Sequence, residues 1–432
     1  MTRQNIHNEL TRLTCERPEL FRPIPLYTDA KKQHPTGSVD DWRGKANEKH
    51  RITINDNKEP LVNVSSLSPP LFCTNDYVAK LENSAYISGG QLTGAVLSQY
   101  VRKSVADMLL AAQQQLPYGY RIIVFDAWRS LDTQMAAYNL CFDSLVEKLV
   151  AEGHISDDQA AHLPLEVSEL ISKETQNYIS LPSPLPANAN PSEEQIREGK
   201  LIPSPHNTGG SVDVGLVRID DTHLTTLKEL ETSLSNETNL IIRAYLNFRL
   251  AAIYRQHATL LNFGTDFDFA GQQSALTYFE TNQSTSLEPQ LWRRLLYAIM
   301  TTAGFQAYSE EWWHFNYGNQ MAERTKWLTN GTKGTAIYGG TELTTEQRAF
   351  EQLHELAFDQ LVEAANTPAS NLILDQQLID AGGTRQLFLR LSEEIGDPRT
   401  TRSLGDPHDM KYRGVLPEKL IASINAAMSS ST

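Results

Sequence analysis

The stretch Ser204-Pro205-His206-Asn207-Thr208-Gly209-Gly210-Ser211-Val212-Asp213-Val214-Gly215-Leu216-Val217 runs from a turn directly into a strand. The Gly-Gly pair favours the turn, and the alternation from Ser211 to Val217 is typical of a β-strand. His206 in the turn and Asp213 in the strand can therefore converge, and an imidazole and a carboxylate are both zinc ligands. A His and an Asp at this spacing also occur together by chance, so this stretch alone leaves both interpretations open.

A second cluster of polar residues lies among large aromatic side chains in Ser309-Glu310-Glu311-Trp312-Trp313-His314-Phe315-Asn316-Tyr317. Burying a carboxylate and an imidazole beside two Trp residues costs free energy unless they are paired or bind a metal. His314 offers a third ligand and Glu311 a nearby base. Two His and one Asp leave the fourth position of a tetrahedral zinc open, as in catalytic sites. The alternative is an aromatic core cluster with Glu311 solvated at its edge.

Around these two stretches, short strands alternate with helices. The apolar run Ile122-Ile123-Val124-Phe125 predicts a strand that ends at Asp126 and Arg129. Apolar residues at helical spacing predict helices over residues 93–116, 239–257 and 287–302, and a further helix capped by Thr345. Helices and short strands in this order indicate a fold that contains both.

Composition and charge exclude several classes of protein. The 432 residues are 40% hydrophobic and 21% charged, as in a globular chain with a large core, and the net charge is −14. This charge repels phosphate backbones and anionic lipids, so we expect neither a nucleic acid nor a membrane as partner.

Cysteine use and the N-terminal sequence point to a compartment. Three cysteines without a Cys-x-x-Cys pair suit reduced thiols. The first 20 residues lack the apolar run of a signal peptide, and no stretch approaches the ~20 apolar residues of a membrane span. We therefore expect a cytoplasmic location.

Together the motifs have the order of a known family. The pattern Ser-x-His-x-x-Gly-x-x-x-Asp begins at Ser204, Gly-Thr-x-Phe-Asp begins at Gly264, and Glu-x-Trp-His begins at Glu311. An Asp-x-Trp-Arg element from Asp126 to Arg129 comes first. In these four elements the chain resembles the zinc D-alanyl-D-alanine dipeptidases, the family that includes the vancomycin-resistance D,D-dipeptidases.

The resemblance implies roles for single residues. It implies one Zn²⁺ per chain, bound by His206, Asp213 and His314, with Glu311 as general base and acid. It further implies that Arg129 stabilises the oxyanion of the tetrahedral intermediate, that Asp268 faces the free ammonium of the substrate, and that Ser204 lines the binding pocket. From the residues alone, the favoured interpretation of Arg129 is a buried partner of Asp126, and Ser204 and Asp268 can be turn-stabilising residues.

The fold and reaction follow from the same resemblance. It implies an α+β fold in which a small central mixed or antiparallel sheet carries the zinc ligands and is flanked by helices. The implied reaction is zinc-dependent hydrolysis of a short dipeptide that contains D-amino acids, such as D-Ala-D-Ala, with zinc-bound water attacking the scissile carbonyl. The alternatives are a D,D- or L,D-carboxypeptidase acting on cell-wall peptides, an iron(II) oxygenase, and a non-catalytic module that zinc stabilises.

The chain departs from the family pattern in two residues and in length. Ser130 replaces a Pro and Phe263 replaces a Met. We predict an N-terminal extension at 1–55, a zinc dipeptidase domain at 56–330 with insertions near 141–203 and 218–256, and a helical C-terminal region at 331–432. The insertions can form a lid, a wall of the pocket or the surface of a homo-oligomer.

Overall fold

The structure is a computed structural model, and it describes residues 3–26, 52–73, 92–96, 98–176, 178–182, 203–238, 246, 250, 257–269, 271–282, 287–331, 333–353 and 416–430. It confirms the predicted α+β class. The helices of the described residues are α1 (Arg3–Glu16), α2 (Lys103–Gln114), α3 (Leu131–Ala151), α4 (Asp157–Ala161), α5 (Leu165–Thr175), α6 (Leu224–Asn236), α7 (Tyr278–Thr281), α8 (Glu288–Thr302), α9 (Gln320–Asn330), α10 (Thr345–Leu353) and α11 (Glu418–Ser430).

A small mixed sheet lies at the centre of the molecule. The strands are β1 (Leu61–Asn63), β2 (Phe72–Cys73), β3 (Tyr100–Arg102), β4 (Tyr120–Asp126), β5 (Ser211–Ile219), β6 (Ala258–Leu260), β7 (Gln306–Ala307) and β8 (His314–Asn316). The central sheet has the order β2-β4-β5-β8-β7, and β6 pairs with the far end of β5. Only β2 and β4 run parallel among these pairs, whereas β1 and β3 form a separate antiparallel ladder.

The central strand β5 is buried along its whole length. Its apolar residues belong to the main core, and α8 packs on it with Trp292, Leu295 and Ile299, which are fully buried. A strand that is buried on both faces can hold a charged side chain only where that side chain is paired or binds an ion. Asp213 lies on this strand and is buried.

A β-bulge lies where β4 approaches the end of its pairing with β5. Val124 pairs with Val214, but Asp126 pairs with Asp213, so Phe125 is an extra residue on β4. In a regular ladder Asp126 would lie opposite Val212. The bulge therefore moves the Asp126 side chain into register with Asp213.

The N-terminal helix α1 packs against the main core through Ile6, Leu10 and Leu13. At the other end of the chain, α11 packs on α5, and α5 packs on α3. These three helices share a second hydrophobic cluster that includes Leu149, Ile171 and Ile424. We call this group of residues the satellite core. It joins the predicted insertion near 141–203 to the C-terminal region, while the predicted domain boundaries stay a prediction.

Three sequence predictions differ from the structure or fall outside it. The helix expected from residue 93 begins at Lys103, because Tyr100 to Arg102 pair with β1 as a strand. The predicted cap of α10 is one residue off, since Thr344 and Gln347 bond each other's backbone N–H. The helix expected over 239–257 lies almost entirely outside the described residues. Within the described part of the chain, no helix combines the length and apolar character needed to cross a bilayer.

Candidate active site

Three acidic and imidazole side chains form a row across adjacent strands of the central sheet. Asp213 on β5 lies opposite Asp126 of β4 on one side and opposite His314 of β8 on the other. Directly paired residues of neighbouring strands project from the same face of a sheet. The sheet itself therefore brings Asp126, Asp213 and His314 together.

His206 reaches this row from the turn that precedes β5. Pro205 begins a single 3-10 turn, and Gly209 ends it with a φ of 69°, a left-handed conformation that glycine adopts without strain. The buried Arg102 fixes the turn, because its Nε donates to the carbonyl of Thr208 at 2.8 Å and its backbone N–H donates to the carbonyl of Gly209 at 2.9 Å. The predicted turn-to-strand geometry of this stretch is therefore present.

His206, Asp213 and His314 converge on one point. One ligand atom from each lies within 4.8 Å of the others, and all three residues are buried. The Nδ1 of His314 lies 2.8 Å from Asp213 Oδ1 and 3.3 Å from His206 Nε2, and His206 Nε2 lies 3.4 Å from Asp213 Oδ2.

Outer hydrogen bonds determine which atoms face inward. His206 Nδ1 donates to the carbonyl of Ala127 at 2.7 Å, and His314 Nε2 donates to Oδ1 of Asn316 at 3.1 Å. A neutral imidazole has one N–H, so His206 Nε2 and His314 Nδ1 present lone pairs to the Asp213 carboxylate. Three acceptors in contact require a cation between them, either a shared proton or a metal ion.

The donor set fits a divalent transition metal. Burial lowers the pKa of His206 well below its usual range and also lowers the pKa of His314, so both imidazoles are neutral at physiological pH. Burial, with Asp126 nearby, raises the pKa of Asp213 well above its usual range. Neutral imidazole and carboxylate ligands, each imidazole donating its second N–H to an oxygen, are typical of zinc sites.

Arg129 lies next to this cluster, at the start of the segment that follows β4. Its Nε and Nη2 donate to Oδ2 of Asp126 at 2.6 and 2.5 Å, and its Nη1 donates to Oε1 of Gln134 at 3.2 Å. Its Nη2 also lies 3.9 Å from Asp213 Oδ2. Asp126 is therefore its buried partner, as one prediction from the sequence held, and the guanidinium also borders the ligand cluster.

Gln134 links Arg129 to the predicted insertion. Its Nε2 donates to the carbonyl of Ser180 at 2.8 Å, while its Oε1 accepts from Arg129. Ile179, the residue before Ser180, packs against Tyr138 of α3. Ser180, within the predicted insertion, is thus one hydrogen-bonded residue away from the guanidinium.

Glu311 lies on the loop before β8, with Oε2 3.8 Å from His314 Nδ1. Its side chain keeps 30% of its surface exposed, so the carboxyl group opens towards solvent on one side. Close packing of the protein around the carboxylate raises its pKa to about 8. Glu311 therefore borders the buried ligand group while part of its side chain faces solvent.

Trp312 anchors the Glu311 loop. Its ring stacks on Phe263 with centroids 4.1 Å apart and planes 7° apart, and its Nε1 donates to Oγ1 of Thr265 at 2.8 Å. Phe263 therefore has a defined packing role at a position where the chain departs from the family pattern. The other departure, Ser130, caps α3 by accepting a hydrogen bond from the backbone N–H of Thr133.

The structure also places the two predicted substrate-binding residues. Asp268 adopts a left-handed φ of 60° and is close enough for its charge to raise the pKa of Glu311. Ser204 is buried at the start of the His206 turn, and its carbonyl accepts a hydrogen bond from Asn207. Their roles towards a substrate stay predictions.

Three polar residues near the site are absent from the sequence predictions, namely Ser211, Asn316 and Asn319. All three are buried and hydrogen-bonded to one another beside His314. Two signals point to them in retrospect. Asn316 follows His314 by two residues and so shares its face of the strand, and Asn319 immediately precedes a helical segment, where Asn is a favoured N-cap.

Comparison with known proteins supports the resemblance described above. The family model described as D-ala-D-ala dipeptidase matches residues 249–329, a range that contains Phe263, Asp268, Glu311 and His314. The chain is also 24% identical over 209 residues to the D-alanyl-D-alanine dipeptidase of Synechocystis sp.. That alignment covers 47% of this chain and 61% of the relative, so the chain spans about three fifths of the length of the relative it matches. The predicted similarity to this family is confirmed.

Proposed function

We propose that this chain is a zinc-dependent peptidase that hydrolyses a short dipeptide containing D-amino acids, such as D-Ala-D-Ala. The observation that carries the proposal is the convergence of His206, Asp213 and His314 on one point, with Glu311 beside His314 and Arg129 beside Asp213. The similarity to D-alanyl-D-alanine dipeptidases supports the choice of substrate.

His206, Asp213 and His314 would hold the zinc ion, and among the described residues they form the only group with this ligand geometry. A bound zinc ion would polarise a substrate carbonyl and lower the pKa of a water molecule. The proposal is one zinc per chain. A structural site would need neither Glu311 nor Arg129 at its border.

Glu311 is the general base and general acid in this proposal. A carboxyl group whose pKa is raised to about 8 in the metal-free protein holds a proton far more readily than an exposed Glu. A cation beside it lowers this pKa and favours the carboxylate, which is the form that accepts a proton from the attacking nucleophile. Glu311 then carries this proton to the leaving amine.

Arg129 stabilises negative charge on the substrate. Its guanidinium is buried, stays charged and is fixed by Asp126, so it is oriented before substrate binds. Its position 3.9 Å from Asp213 places it beside the ligand cluster, where the oxygen of a scissile carbonyl would develop charge.

Asp268 and Ser204 select the substrate in this proposal. Asp268 contributes negative charge near Glu311, which suits a free ammonium group at the N-terminus of a dipeptide. Ser204 would contribute a hydroxyl group beside the His206 turn. A pocket that requires a free ammonium excludes peptides extended at the N-terminus, in which that nitrogen is part of an amide.

We also propose that the enzyme works in the cytoplasm. Cys15, Cys73 and Cys141 are all free thiols in the structure, as suits a reducing compartment. Recovery of the native protein from a periplasmic fraction would contradict this assignment.

The test is release of free D-Ala from D-Ala-D-Ala by the zinc-loaded protein and by Glu311→Gln, with Glu310→Gln as the matched control. Glu310 is exposed and adjacent in sequence, so its substitution leaves turnover unchanged. We expect Glu311→Gln to lose about 10²–10⁴-fold in turnover while it keeps its zinc.

Three further substrates separate the alternatives. L-Ala-D-Ala and D-Ala-D-Ser define the specificity of each side of the pocket, and faster cleavage of a pentapeptide than of the dipeptide would identify a carboxypeptidase. No release from any substrate by protein with one bound zinc would favour a non-catalytic module. Iron in place of zinc in the purified protein would favour an oxygenase.

A further inference from the structure

A chain of hydrogen bonds connects the beginning of α9 to the ring of His314. The backbone N–H of Ala322 donates to Oδ1 of Asn319 at 2.9 Å, which makes Asn319 the N-cap of α9. The Nδ2 of Asn319 donates to Oγ of Ser211 at 2.8 Å and to Oδ1 of Asn316 at 3.0 Å. Ser211 Oγ donates to the same Asn316 oxygen at 2.6 Å, and His314 Nε2 lies 3.1 Å from it.

The donor and acceptor of every hydrogen bond in this network follow from the first bond, between the backbone N–H of Ala322 and Asn319. A backbone N–H can only donate, so the atom of Asn319 that faces Ala322 is its oxygen and the atom that faces Asn316 is its NH₂ group. Asn316 must then present its oxygen, since two amide NH₂ groups cannot bond each other. An amide oxygen only accepts, so the ring nitrogen of His314 that faces it carries the hydrogen.

We infer that Asn319 and Asn316 are positioning residues that determine which nitrogen of His314 binds the metal. They hold the hydrogen of the neutral ring on Nε2 and leave the lone pair of Nδ1 directed at Asp213 and His206. The helix α9, which contributes no ligand, thus sets the tautomer of a ligand through its N-cap. This inference rests on the metal site of the proposed function.

Burial makes any reversed orientation of these amide groups costly in free energy. Ser211, Asn316 and Asn319 are at most 1% exposed, so solvent water does not reach the network to satisfy a reversed amide. An unsatisfied buried donor or acceptor costs about 1–3 kcal/mol, and a reversed Asn316 would place its NH₂ group against both Asn319 and His314. The network therefore favours one orientation of every member.

The deciding variant is Asn319→Asp. Aspartate caps a helix as well as asparagine, so the bond from Ala322 is kept. Its second oxygen, however, replaces the NH₂ donor that faces Asn316, and the amide of Asn316 is then driven to turn its NH₂ group inward. His314 must accept at Nε2 in that state, which moves its hydrogen to Nδ1 and blocks the metal-binding atom.

The experiment measures the dissociation constant of zinc by competition with a chromogenic chelator, for the full-length wild type and each variant. We expect about 10–100-fold weaker binding in Asn319→Asp, as for other residues that orient a metal-bound imidazole. Asn57→Asp is the matched control, because Asn57 is exposed and its Oδ1 likewise accepts from a backbone N–H. It keeps wild-type affinity.

Two variants of Asn316 test the same point independently. Asn316→Leu removes the acceptor that faces His314 and should weaken zinc binding. Asn316→Asp keeps an acceptor at this position and should bind zinc with wild-type affinity. In the metal-free proteins, the ¹⁵N shifts of the His314 ring report the tautomer directly, with the hydrogen on Nε2 in the wild type and on Nδ1 in Asn319→Asp. A loss of fold alone would not move the hydrogen between ring nitrogens.

The outcomes are distinct. Wild-type zinc affinity in Asn319→Asp and in Asn316→Leu would overturn this inference and leave the proposed function intact. An unchanged His314 tautomer in Asn319→Asp would also overturn it. Failure of the wild type to bind zinc at all would overturn both this inference and the proposed metal site.

Discussion

Asp213 and His314 are direct partners on the antiparallel strands β5 and β8, and Asp213 Oδ1 lies 2.8 Å from His314 Nδ1. The sheet ladder thus fixes the separation of these two side chains, which are 101 residues apart in sequence. A site built on strands is held more rigidly than one built on loops. Only His206 among the three candidate ligands comes from a turn, and the buried Arg102 holds that turn.

Zinc should stabilise the folded protein through this cluster. Zinc at 100 times its dissociation constant adds about 2.7 kcal/mol to the free energy of unfolding, because only the folded state assembles the three ligands. Asp213→Asn should lose most of this gain, and differential scanning calorimetry with and without a chelator measures it. Asp107→Asn, at an exposed ion pair with Lys103, should keep the full gain. An equal gain in stability on zinc addition in Asp213→Asn and Asp107→Asn would exclude Asp213 as a ligand.

Glu311 should make the stability of the metal-free protein depend on pH. Its pKa is about 8 in the folded protein against 4.5 for an ordinary Glu, so folding favours the protonated form. The stability that this shift contributes is present below pH 4.5 and is lost as the pH rises towards 8. Glu311→Gln cannot ionise, so its melting temperature should exceed that of the wild type at pH 9.

The difference in melting temperature between Glu311→Gln and the wild type should shrink as the pH falls towards 5, where the wild-type carboxyl group is protonated in the folded state. Thermal melts of metal-free protein across this range measure it. A difference that grows on acidification would mean that the folded state favours the carboxylate instead.

Arg129→Lys should impair turnover without loss of zinc. Lysine keeps the charge but has one nitrogen in place of the planar fork that binds Asp126 through Nε and Nη2 and Gln134 through Nη1, so the cation is held less firmly. We expect kcat to fall about 10²–10³-fold. Arg348→Lys, at an exposed ion pair with Glu342, serves as control. Parallel loss of zinc and turnover would show that Arg129 acts through the ligands and not on the substrate.

Phe263→Met should cost little stability and little activity. The substitution conserves volume, so we expect a loss under about 1.5 kcal/mol, most of it from the stacking with Trp312. Chemical denaturation and steady-state kinetics together measure the two effects. A collapse of turnover at nearly unchanged stability would show that the stacked ring does more than support the Glu311 loop.

The sequence allowed the candidate ligands to be predicted because their chemistry is visible locally. His206, Asp213, Glu311 and His314 lie in short motifs, and imidazole and carboxylate groups among apolar residues cost free energy unless they are paired or bind a metal. The α+β class was predictable as well, since β4, β5 and α8 have clear apolar patterns.

Features that depend on distant parts of the chain were not predictable. The bulge at Phe125 is visible only once β4 is paired with β5, and the start of α2 at Lys103 depends on the pairing of Tyr100 with Asn63. The role of Asn319 was hidden for a similar reason. A capping Asn is recognisable in sequence, but its other amide hydrogen bonds depend on where Ser211 and Asn316 lie in space.

The satellite core has a consequence for truncation of the chain. Leu149 and Ile171 come from α3 and α5, and Ile424 comes from the last described helix. Each side covers apolar surface of the other, so a chain cut short before α11 would expose these side chains to water and would tend to aggregate.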